Sequence, residues 1–172
     1  MPINTEKVYS ETLDVNIEDI STLPPMLNRL EWITFNLFDF FNRINEIWSI
    51  FSVHCECTSD CGRYTWKGES LSPSDYINRT LSVSSYLINE FPVDSTQKYR
   101  PSIAQDITFI LTTLEATLEH ISSSHRKSVN KLIINVHIDT ITQHFQTFCR
   151  LNNLRRGHIQ NSDLFQDQNP GL

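Results

Sequence analysis

The run Glu31-Trp32-Ile33-Thr34-Phe35-Asn36-Leu37-Phe38-Asp39-Phe40-Phe41-Asn42-Arg43-Ile44-Asn45 sits inside a long apolar periodicity. Leu30, Ile33, Leu37, Phe40, Phe41, Ile44, Ile47, Trp48 and Phe51 recur every three or four residues, so a helix starting near Asn28 gathers them on one stripe. Asn36, Asp39, Asn42, Arg43 and Glu46 then fall on the opposite face. A stripe of this width packs against other helices, and its Phe and Trp residues read as core rather than as a ligand box. The same polar interruptions break the most hydrophobic stretch, Trp32 to Val53, far short of the ~20 apolar residues a membrane helix needs.

Working outward, the pattern stays helical with one exception. Between His54 and Ser72 the chain gathers three cysteines, two glycines and the β-favouring Tyr64-Thr65-Trp66, which predicts a loop with a short strand or hairpin. Pro73 at a first turn opens a second helix to about Asn89, ended by Phe91-Pro92. A third helix starts near Ser102 and carries Ile103, Ile107, Ile110, Leu111, Leu114, Leu118 and Ile121 until Ser122-Ser123-Ser124 weakens it. Two shorter helices follow: Arg126 to about Asn135 with Val129, Leu132 and Ile133 inward, then one capped at Asp139 with Ile141, Phe145, Phe148 and Leu151 inward. Residues 1–24 read as an acidic flexible tail and 157–172 as a polar one, leaving a mainly α domain over 25–156, a helical bundle with a small β insertion.

Composition narrows the function. The chain has 172 residues with 14 Lys+Arg against 20 Asp+Glu, a net charge of −6. That balance argues against general binding to nucleic acid or an anionic membrane, which draws on massed cations. Only Gly62, Gly68, Gly157 and Gly171 are available, so a GxGxxG turn, a phosphate loop and a GxSxG elbow are all excluded. The first 19 residues carry five acids and no apolar signal core, which predicts a soluble protein of the cytoplasm or nucleus.

Cys55, Cys57 and Cys61 lie within seven residues, a density that suits a metal site in a reducing compartment better than a disulfide framework. His120 and His125 follow near the end of the third helix, so thiolates and imidazoles can meet as tetrahedral Cys2His2 zinc. On a straight helix a five-residue step rotates by about 140°, so both histidines face one ion only if the backbone turns between them, for which the serine run offers a place. Four protein ligands leave no open position for water, the mark of a structural ion rather than a hydrolytic one that Asp60 or Glu56 would serve as base. Free cysteines and surface histidines are the plainer alternative. Cys149, beside Phe148, reads as a small core residue.

These residues resemble the Mob family, the Mob/phocein domain of small helical adaptors. The run from Glu31 to Asn45 is similar to the family's signature helix, E-W-x-x-x-N-x-x-D-F-F-N-x-I-N. The family's first zinc cysteine follows the signature Trp by 23 residues, as Cys55 follows Trp32. His120-x4-His125 resembles its histidine pair, and Val136-His137-Ile138-Asp139-Thr140 to His144-Phe145 resembles its A-H-L-N-T-x-x-K-H-F segment. The likeness spans Leu23 to Arg156. It implies a structural zinc on Cys55, Cys61, His120 and His125, with Cys57 as a substitute because the family's C-x4-C spacing lands on Asp60 here. His137 and His144 are expected to serve packing.

The resemblance also implies a function: a monomeric, non-catalytic adaptor that binds the N-terminal regulatory helices of an NDR/LATS-type Ser/Thr protein kinase. Glu31, Trp32, Phe35, Asn36 and Asp39 would carry that contact. A phocein-like subunit of a kinase–phosphatase scaffold, or a family member without a kinase partner, are the alternatives. Two departures bear on them. The family's basic, phosphopeptide-type cluster is replaced by Thr112, Thr113 and Ala116, and Leu27 and Asn28 stand where acids are common, so charge attraction to a basic partner should be weaker or redirected.

Overall fold

Asn28 starts the central helix: its side-chain oxygen accepts from the backbone N–H groups of Leu30 (2.9 Å) and Glu31 (3.2 Å), two donors the first turn would leave unpaired. In the computed structural model, which describes residues 16–53, 55–57, 64–92, 97–131, 134–154 and 159–165, the helices are α1 (Ile17–Ser21), α2 (Arg29–Ser52), α3 (Pro73–Asn89), α4 (Ile103–Ser124), α5 (Arg126–Lys131), α6 (Asn135–Leu151) and α7 (Asn161–Leu164). The helical bundle and, among the described residues, the one small hairpin are as the sequence predicts.

All nine stripe residues of α2 are buried, and Ile33, Leu37, Phe40 and Ile44 lose all contact with solvent. Asn36 departs from the expected pattern. It is buried rather than outward, and it can be because its Nδ2 donates to the Trp32 carbonyl at 2.9 Å. On the solvent side, Asp39 and Arg43 form an i,i+4 ion pair at 3.1 Å. Helix α4 packs against α2 and α3, placing Ile107, Ile110, Leu114 and Ile121 opposite the α2 stripe.

The hairpin pairs β1 (Thr65–Trp66) with β2 (Glu69–Ser70), antiparallel, through Lys67 (φ 50°) and Gly68 (φ 86°). Positive φ at both central residues is what a two-residue type I′ loop requires. Helix α3 has the expected limits, with Pro73 in its first turn and Ser72 Oγ accepting from Asp75 N.

Two helices differ from the sequence expectation, the second at both of its ends. Helix α4 runs unbroken through Ser124, so the serine run does not end it, and the chain turns at His125 itself (φ −111°, ψ 13°). Helix α6 begins at Asn135 rather than being capped at Asp139, which is an exposed residue inside it. No side chain caps that start, and burial of Ile138, with Ile134 packed against the core, fixes it instead. At the other end Asn153 takes the left-handed conformation (φ 53°), with Leu154 N–H bonded to Cys149 O and Asn153 N–H to Arg150 O, the Schellman pattern. That reversal buries Leu154 and leaves Leu151, expected inward, 36% exposed. Leu132 and Ile133 lie outside the described residues.

The segments read as tails also contribute. Within 1–24, α1 lies against α6: Asn152 Nδ2 donates to Ser21 O at 3.0 Å, and Arg150 pairs with Glu18 at 2.9 Å. Within 157–172, α7 buries Leu164 beside α4. Among the described residues no helix is long and apolar enough to cross a membrane.

Candidate metal centre and partner-facing helix

Just past the end of α2, the chain carries Cys55 and Cys57 to the end of α4. Cys55 Sγ lies 3.5 Å from His120 Nε2, and Cys57 Sγ lies 3.9 Å from His125 Nε2. One donor atom from each of the four falls within 4.8 Å of all the others. A tetrahedral ion with bonds of about 2.0–2.3 Å sets its ligand atoms roughly 3.3–3.8 Å apart, so these four residues fit one ion with slight contraction. Two thiolates and two imidazoles suit zinc and are the wrong chemistry for calcium or magnesium.

The rotation problem is solved at the cap. His120 belongs to the last turns of α4, whereas His125 has left helical geometry, which brings the two rings to 5.1 Å between centroids. Trp48 stands edge-on to His120 at 5.8 Å, Phe51 lies 5.5 Å from His125, and Tyr64 closes on His120 at 6.1 Å. Burial, and then the neighbouring His125, pushes the His120 pKa down to about 4; burial lowers that of His125 as well. Both imidazoles are therefore neutral near pH 7, the form that ligates.

Cys61 and Asp60 lie outside the described residues, so the described cluster is Cys55, Cys57, His120 and His125. Cys149 is elsewhere, half-buried against the core, its thiol pushed up to about 12 by burial and then by Glu115. His137 is exposed, and His144 packs edge-on against Phe40 at 4.8 Å; neither joins the cluster.

The five residues assigned to partner contact divide by depth. Glu31 and Phe35 are exposed and Asp39 is partly so, whereas Trp32 leans on Phe148 (6.5 Å) and Asn36 is buried. The first three present a surface and the other two hold it in place. Phe38, 51% exposed, was not singled out from the sequence. Its spacing was the available signal, because Glu31, Phe35 and Phe38 stand at i, i+4 and i+7 on one strip.

At the positions of the missing basic cluster, Thr113 is buried and Thr112 Oγ1 donates to Thr108 O. The adjoining cavity between α4 and α6, about 320 Å³, is lined by Leu111, Phe145, Cys149 and Leu154 among others. Arg150 is the one basic residue among its described lining, and it is paired with Glu18.

Comparison with known proteins shows the family to which the chain is related. The chain is 29% identical over 154 residues to human MOB kinase activator 3C, covering 79% of this chain and 71% of that protein. It is 26% identical over 151 residues to MOB kinase activator-like 3 of Drosophila melanogaster (78% and 70% covered). Against CBK1 kinase activator protein MOB2 of Saccharomyces cerevisiae it is 23% identical over 150 residues (78% and 52% covered). The Mob1/phocein family model matches residues 10–160, from before α1 to the start of α7 and through every residue of the cluster and the α2 strip. The chain belongs to the Mob1/phocein family.

Proposed function

We propose that this chain is a non-catalytic adaptor of the cytoplasm or nucleus. As a monomer it binds the N-terminal regulatory helices of an NDR/LATS-type protein kinase and favours the kinase's active arrangement, while zinc on the cysteine–histidine cluster holds the fold. The observation that carries the reading is the division of labour along α2. One face is locked into the core by Leu30, Ile33, Leu37 and Phe40, and the other offers Glu31, Phe35 and Asp39 to solvent on a rigid support. Binding of that kind shifts a kinase's conformational equilibrium without any bond being made or broken. The names of the relatives, kinase activators in animals and yeast, support the kinase as partner.

The test is titration of the purified protein with the N-terminal regulatory segment of an NDR/LATS-type kinase at low and at physiological salt. Saturable binding that Glu31→Lys weakens about tenfold, in a variant that melts like the parent, is the expected result. Absence of binding at both salt concentrations would overturn the kinase reading.

A further inference from the structure

Between α4 and α6 lies the cavity of about 320 Å³. Packed interiors hold few voids larger than a water molecule, whose share of liquid volume is about 30 Å³, so a space of this size is a place for a ligand rather than a packing defect. It falls at the small end of the roughly 300–1,000 Å³ range of small-molecule sites. Its floor is apolar: Leu111 of α4, Phe145 of α6 and Leu154 just beyond α6 are each buried. Such a floor gains free energy when an apolar body displaces water from it.

The polar groups above that floor restrict what the body can carry. Thr108 Oγ1 donates to Ala104 O and Thr112 Oγ1 to Thr108 O, both at 2.8 Å. With each hydroxyl proton committed to the backbone, the two side chains have lone pairs to offer, four residues apart on one face of α4. Glu115 follows on the same face, and Arg150 stands across on α6, drawn to Glu18 at 2.9 Å. One acid and one base leave the described lining without net charge. The Cys149 thiol is neutral as well, since burial and then Glu115 push its pKa up to about 12. An ion would lose hydration against the apolar floor with no opposite excess of charge to offset the loss, whereas an uncharged molecule avoids that cost.

We infer that this cavity binds a small, uncharged, largely apolar molecule bearing a hydroxyl group, its body on Leu111, Phe145 and Leu154 and its hydroxyl donating to Thr112 Oγ1. The ligand touches both α4 and α6, so its binding energy adds to the stability of their packing. This site goes beyond the adaptor reading and is independent of it, because among the described residues none of its lining belongs to α2.

Phenylbutanol, phenylbutylamine and phenylbutyrate share one apolar body and differ in the head group. Each is titrated against the full chain to about 5 mM, followed by amide NMR shifts and by melting temperature. Phenylbutanol should saturate, move the amide signals of Leu111, Thr112, Phe145 and Leu154, raise the melting temperature, and bind at least about fivefold more tightly than either charged analogue. Thr112→Val keeps the side-chain shape and removes the acceptor, so it should weaken phenylbutanol about fivefold while the free variant melts close to wild type. Cys149→Leu fills the space from α6 and should abolish binding of all three; should that variant not fold, the amide map and Thr112→Val carry the test. The assignment is overturned if phenylbutanol does not saturate, if the shifts centre elsewhere, if either ion binds more tightly, or if Thr112→Val or a folded Cys149→Leu binds as wild type does.

Discussion

Each cluster histidine is held neutral by its surroundings before any metal arrives. Burial lowers the pKa of both, and for His120 the approach of His125 adds to it. Between the His120 value of about 4 and the ordinary 6.5, the unfolded chain binds protons that the folded chain does not. Stability must therefore fall as pH drops through that window. Urea unfolding from pH 7.5 to 4.5 should show a decline beginning below about 6.5, made steeper by zinc because protons and metal compete for the same nitrogens. A shallower profile in the His120→Ala variant than in wild type would assign that part of the slope to His120, the lowered His125 and His144 supplying the remainder. The same cluster predicts that Cys55→Ala or His125→Ala lowers stability by several kcal/mol, since structural metal binding is folding energy. Equal melting of wild type with and without a strong chelator would refute it. At this scale the sequence was legible in residue type and spacing: thiols crowded within a few residues and two imidazoles at a helix end. What spacing could not show was how two histidines some 140° apart on an ideal helix converge, because the answer is a cap residue that has left the helix.

Helix limits were legible where a side chain sets them and not where packing does. Helix α3 begins at a Ser–Pro cap and ends at Asn89, just ahead of Phe91-Pro92, signals written in a few adjacent residues. Helix α6 begins with no side-chain cap, so Asp139 resembled a start while the burial of Ile138 decided it. Helices α1 and α7, of five and four residues, are too short to show a periodicity: Asn16 Oδ1 accepts from Glu18 N–H at the start of α1 and Asp163 accepts from Gln160 N–H at the start of α7, and the two dock on α6 and α4. The cap on α2 gives the matching prediction. Asn28→Ala leaves the N–H groups of Leu30 and Glu31 without their acceptor and should cost about 1 kcal/mol, seen as a lower denaturation midpoint with an unchanged slope. An unchanged midpoint would mean that packing of Leu30 and Ile33 alone places the helix start.

For the whole molecule, α2 connects the candidate metal cluster with the proposed partner strip. Its last turns contribute Trp48 and Phe51 to the metal cluster, and its first turns carry the partner strip. From Glu31 to Phe51 the helix rises roughly 30 Å, so metal and partner do not share contacts. The two ends are nevertheless parts of one core, from Leu30 at one end of the helix to Phe51 at the other. A zinc finger unfolds without metal because it has little else to bury, whereas here an extensive apolar cluster across α2, α3, α4 and α6 is packed without any ion's help. Metal removal should therefore lower the melting temperature and leave the chain folded at about 10 °C, with α2's first three turns still fixed by Leu30, Ile33 and Leu37. Under those conditions the affinity for the kinase segment should stay within about threefold of the metal-loaded value, measured by calorimetry before and after chelation. If binding is lost while far-UV circular dichroism stays native, the ion does more than hold the fold. It then sets the position of α2 as a whole, and kinase binding becomes sensitive to zinc and to oxidation of Cys55 and Cys57.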